Sequence, residues 1–160
     1  MNEARRELQA QRRAGAPRSW PRDTNWLSAA KELSEAACLL GDLEVGAALE
    51  ELLEPFAERM VVSARALMCM GSVYGALARL AALRGDLDRA VERYEHAIDG
   101  DERAGALIWA MQHRLRLGET FLARGQAAEA AGLLETVVTR APGMGLSRLA
   151  EHARCATISA

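Results

Sequence analysis

The stretch GDLDRAVERYEHAI, residues 85 to 98, constrains the fold more than any other feature, because its pattern returns forty residues later as GQAAEAAGLLETVV, 125 to 138. Behind each glycine, at the same offsets, stand a small, a large and a further apolar residue: Ala90, Tyr94 and Ala97, then Ala130, Leu134 and Val137. Those offsets keep one face of a helix apolar and leave the charges between them for solvent. Glycine permits a tight turn, alanine lets two helices touch, and the large residue fills the space beside the contact. A pair of short helices cannot bury such a stripe alone, so units of this kind stack and cover one another.

Glycine and proline punctuate the rest of the chain. Residues 1–22 carry Arg5, Arg6, Arg12, Arg13 and Arg18, interrupted by Gly15, Pro17 and Pro21, and read as a flexible basic tail ahead of a helical-repeat domain over 23–160. The spacing of Trp26, Leu27, Ala30, Leu33, Ala37 and Leu40 predicts a first helix; Gly41-Asp42 ends it and caps LEVGAALEELLE, which Pro55 stops. Ser63 is expected to cap a long helix, ARALMCMGSVYGALARLAALR, with Leu67, Met70, Tyr74, Leu77 and Ala81 as its stripe and Gly71, Gly75, Ala78 and Ala82 as a small-residue face. In the next helix Leu87, Ala90, Val91, Tyr94, Ala97 and Ile98 should face inward and Asp88, Arg89, Glu92, Arg93 and Glu95 outward. DGDER, 99–103, follows as a solvated acidic turn. In the closing helix Leu146, Leu149, Ala153 and Ala156 or Cys155 should point inward. The expected layout is all-α with almost no sheet: antiparallel hairpins at about 24–55, 63–99 and 103–141, and a closing helix at about 145–158.

These residues resemble tetratricopeptide repeats. The second hairpin supplies Tyr74, Leu77, Ala78, Ala81, Ala90, Tyr94 and Ala97 to the family pattern, and the third Leu117, Gly118, Phe121, Ala130, Leu134, Val137 and Pro142. The first is degenerate, with Leu33, Ala37 and Gly46 but Glu50 where a bulky residue belongs. The forty-residue spacing exceeds the family's ~34 and leaves room for longer first helices or a HEAT-like variant. PRDTNWL, LLEPFAERMVVSARAL and CMGSV followed by GDLDRA are also similar to the C-terminal helical-repeat region of large bacterial signal-transduction ATPases, including LuxR-type transcriptional activators and cyclase-linked relatives. The resemblance implies a right-handed α-α superhelix, and in such proteins this region senses an inducer or a partner.

Signals for chemistry are sparse. A net charge of −2, a pI near 6.0 and basic residues mixed with acids argue against nucleic acid as a direct partner. The apolar runs are too short for a bilayer and the start lacks a secretory core, so a cytoplasmic protein without membrane contact is expected. Cys38, Cys69 and Cys155 read as buried, inert thiols. Lys31, the single lysine, follows no glycine-rich phosphate loop, and His96, His113 and His152 have no zinc-site spacing. Asp99, Asp101 and Glu102 lack the rest of a calcium loop. No catalytic, metal or cofactor residues are expected, and the chain reads as a non-enzyme.

What stacked hairpins offer is a groove lined by their first helices. Arg65, Ser72 and Arg79 recur every seven residues on the middle one; Trp109, Gln112, Arg116 and Glu119 share a face of the third; Lys31 and Glu35 belong to the first. Aromatic and arginine anchors suit a peptide groove, in which Arg79 and Arg116 would engage an acidic or carboxylate-bearing ligand. Against this stands a plainer account, in which Trp109 packs on the preceding hairpin and the charges only solvate the surface. The expected function is a regulatory or scaffold module binding a peptide or partner subunit. The alternative is an inducer-sensing relative of a transcriptional regulator. The open ends of the stack also suit homodimerisation.

Overall fold

The structure, a computed structural model, describes residues 22–63 and 67–158. Among them are seven α-helices and one two-stranded sheet: α1 (Trp26–Leu40), α2 (Leu43–Leu53), β1 (Met60–Ser63), β2 (Met68–Ser72), α3 (Val73–Leu83), α4 (Leu87–Arg103), α5 (Leu107–Ala123), α6 (Ala127–Arg140) and α7 (Ser147–Ile158). No described helix is long and apolar enough to cross a membrane. From α3 onward each helix packs on the next, and α1 and α2 both pack on α3. The basic tail expected over 1–22 lies outside the described residues except for Arg22, whose guanidinium lies 4.6 Å from the centre of the Trp26 ring.

The helices end where the glycines stand, and the reason is local. Gly85, Gly105, Gly125 and Gly145 recur every twenty residues with φ between 70° and 78°, a left-handed conformation that side chains with a Cβ disfavour. After α3, α4 and α5 the N–H three residues beyond the helix reaches back across the turn, Asp86 to the Ala81 carbonyl, Ala106 to Asp101 and Gln126 to Phe121, and after the single turn Pro142–Met144 that of Leu146 reaches Ala141. These bonds satisfy carbonyls that would otherwise be stranded, and the first three turns reverse the chain within three residues. Short turns make sequential neighbours antiparallel.

The cores follow the apolar stripes. Ala30, Ala37, Leu49, Leu53, Leu77 and Leu80 are fully buried between the first helix pair and α3. Ala90, Tyr94 and Leu117 are buried at the next layer, and Ala130, Leu134, Val137, Ala150 and Ala153 at the last. Each large aliphatic side chain removed from water contributes about 1.5–3 kcal/mol, which makes these contacts the main force holding the layers. At Gly118 the helices come close enough that an added Cβ would lie 2.8 Å from Leu134 Cδ2, so the missing side chain lets α6 approach α5.

Three expectations are corrected. The expected long helix does not run through residues 67–72: Met60–Ser63 and Met68–Ser72 pair antiparallel, and the helix begins at Val73. Val61 is buried in the first core while Leu67, placed on the expected stripe, is 86% exposed. Ser72, not Ser63, caps this helix, its hydroxyl accepting the Tyr74 N–H at 3.2 Å. The acidic stretch after Asp99 is the last turn of α4 rather than a solvated turn. Its Asp101 is wholly buried, accepts the Ser72 N–H at 2.8 Å and meets His113 Nδ1 at 2.6 Å.

Arg93 is the third correction, since it points inward and is buried. It donates to Glu50 Oε1 at 2.6 Å, to the Leu77 carbonyl at 3.2 Å and to Glu54, while Arg84 reaches Glu50 at 3.0 Å. The carboxylate standing where the repeat pattern asks for bulk is therefore the partner of a buried guanidinium two helices away.

Candidate functional site

The C-terminal halves of α1, α3 and α5 lie side by side, with Tyr94 of α4 behind them, and enclose an open cavity of about 500 Å³. Its floor is Tyr94 and Cys38. Its lining is apolar at Leu39, Ala82, Leu83, Leu87 and Ala123 and polar at Glu35, Arg79, Arg116, Glu119 and Thr120. The helical period brings them together, because residues three and four apart on each helix reach the same face. Four of the nine residues expected in a groove meet here: Glu35, Arg79, Arg116 and Glu119.

Their charges are paired. Arg79 Nη1 bonds Glu35 Oε1 at 2.6 Å, and Glu35 also receives Lys31 Nζ at 3.5 Å. Arg116 Nη1 bonds Glu119 Oε2 at 2.8 Å, and the other oxygen of Glu119 meets His152 Nε2 of α7 at 2.9 Å. Burial alone would raise the Glu35 carboxyl, but Arg79 and Lys31 outweigh it and hold Glu35 below its ordinary range. Burial likewise works against charge on Arg79, and the Glu35 carboxylate more than offsets it, so the guanidinium is held charged above its usual value.

The two weaker acids are held neutral. Burial pushes the Tyr94 phenol up to about 12 despite the nearby Arg79 and Arg116, and it pushes the Cys38 thiol up to about 11. At neutral pH the floor therefore presents an uncharged phenol and an uncharged thiol, neither of them a ready nucleophile. Cys38 is half-buried, and Cys69 and Cys155 are exposed, which corrects the expectation of three buried thiols.

Three further expected residues serve a different purpose. Trp109 donates from Nε1 to the Cys69 carbonyl at 2.9 Å and lies against Gly71, where an added Cβ would fall 2.8 Å from Trp109 Cγ. Lys31 is buried with its ammonium 4.2 Å from the centre of the Trp109 ring, a cation–π contact. Ser72 is buried as the cap of α3. Together they seat the β-hairpin across the N-terminal side of the groove, between α1 and α5, so for Trp109 the plainer account holds. Gln112 is half-buried and does not line the cavity, and Arg65 lies outside the described residues.

Sequence reasoning missed Cys38, Tyr94, Leu83 and Leu87. Tyr94 belongs to the core, at 2% exposure, and also lines the cavity, where the second helix of a pair shows through between two first helices. Comparison with known protein families, with curated proteins and with solved structures finds no match, so the residues themselves carry the functional argument.

Proposed function

We propose that this chain is a non-enzymatic interaction module of tetratricopeptide-like kind, a right-handed superhelix of helix pairs that receives a peptide or partner subunit in its concave groove. It would act as a regulatory or scaffold protein in the cytoplasm. The twenty-residue recurrence of left-handed glycines supports the repeat reading. The observation that carries the binding reading is the cavity itself, where apolar side chains and two arginines line a space of about 500 Å³. Area from the first and directional hydrogen bonds from the second are the combination that anchors a partner side chain. The protonated thiol and phenol on the floor, and carboxylates already engaged by arginines, support binding rather than bond-breaking.

The test compares wild-type protein with the double variant Arg79→Ala/Arg116→Ala as bait in extracts of the native host. A partner retained by the wild type and lost by a double variant with an unchanged circular dichroism spectrum supports the groove. A partner held equally by both removes the arginines from the assignment. A second reading, sensing of a small inducer, is favoured by one observation: the cavity's volume lies in the range of small-molecule sites.

A further inference from the structure

We infer that the cavity takes a small amphipathic monoanion, a carboxylate carried on a compact apolar body. The inference rests on the reading of the groove as the binding face and narrows its occupant. The first ground is size. The cavity of about 500 Å³ between the C-terminal halves of three helices has the dimensions of a small-molecule site. The second is polarity. Leu39, 81% exposed at the rim, together with Leu83 and Leu87 offers an apolar flank that gains only when an apolar group covers it.

The third ground is charge. The four charges that line the cavity, Glu35, Arg79, Arg116 and Glu119, balance, and Lys31 behind Glu35 adds one cation to that cluster. Lys31 is too deep for a ligand to touch, so its charge is felt at Arg79, where Glu35 is shared between two cations. Arg116, 45% exposed, is the guanidinium free to turn its remaining donors toward the cavity. A carboxylate there completes the balance, with the neutral Tyr94 phenol as a further donor at the floor. A ligand amine would instead meet the surplus positive charge.

Isothermal titration of the full chain with octanoate, octylamine and octan-1-ol tests this. Octanoate should bind one per chain, with the amine and the alcohol at least about tenfold weaker, and Arg116→Ala should weaken octanoate by about tenfold. Arg116 is a rim residue, so its removal leaves the packed layers intact. Location is read at Cys38: in a C69S/C155S background, alkylation of Cys38 should slow on adding octanoate. Equal binding of the amine or the alcohol, an unchanged affinity in Arg116→Ala, or an unprotected Cys38 overturns the inference. A peptide partner that needs Arg116 while octanoate fails to bind also overturns it but leaves the groove reading standing. Failure of both removes the two together.

Discussion

Replacing Arg93 by alanine should cost more stability than any surface change in this chain. The side chain is 4% exposed and joins α4 to Glu50 and Glu54 of the first helix pair, with a further bond to the Leu77 carbonyl. Removing it leaves the Glu50 carboxylate, itself 9% exposed, in a low-dielectric setting with only Arg84 in reach. Stranding one member of a buried pair costs about 3–5 kcal/mol, and the surviving Arg84 contact at 3.0 Å places the expectation near the lower end, about 3 kcal/mol. For a chain of this size that corresponds to a fall in Tm of roughly 6–12 °C. The double variant Glu50→Leu/Arg93→Met removes both charges and restores apolar volume, so it should recover at least half of the loss. Urea unfolding followed by circular dichroism at 222 nm measures both. A single variant within about 1 kcal/mol of wild type, or a double variant less stable than the single, would refute the idea that the charge left behind is what hurts.

Two glycines should respond in opposite directions. Gly75→Ala drives a methyl into the His113 ring and should destabilise by about 1–3 kcal/mol, whereas Gly132→Ala, in the interior of α6 with open space around it, should stabilise by about 0.5–1 kcal/mol; thermal unfolding reads both. The Tyr94 phenol ionises near 10 when unfolded and at about 12 when folded, so above pH 10 the unfolded state binds fewer protons and stability falls as pH rises toward 12. Denaturation midpoints across that window should flatten in Tyr94→Phe. Trp109→Phe loses the bond to the Cys69 carbonyl, worth about 1 kcal/mol, and hydrogen exchange at residues 60–63 and 68–72 should quicken while α6 and α7 stay unchanged.

The helix pairs were legible because turn chemistry and apolar period agree at each of them: Gly41-Asp42, Gly85-Asp86 and Gly125 mark reversals, and Ala90, Tyr94, Ala130 and Leu134 are buried as their spacing requires. The β-hairpin was not legible, because LMCM is a short apolar run that a helix and a strand accommodate alike. The decision is tertiary. Val61 fills the first core, and Gly71, at φ 84°, brings the backbone against Trp109. The consecutive β-branched Val61-Val62 was the local hint.

The site divides in the same way. Glu35, Arg79, Arg116 and Glu119 were found from helical faces alone, since each lies on the first helix of a pair. Lys31 and Trp109 lie where the hairpin packs and Ser72 ends its second strand, a placement that periodicity does not reveal. Glu50 and Arg93 show the converse. A carboxylate breaking an apolar pattern was the signal, but its partner stands 43 residues away in sequence and becomes visible only once the layers are stacked.

Two chemistries share one row of helices. Where Lys31 meets Trp109 the row is closed by the strands Met60–Ser63 and Met68–Ser72; one turn further along α1, from Glu35 onward, it lies open. Side chains at the open end can therefore change without disturbing the strands that tie α1 to α5.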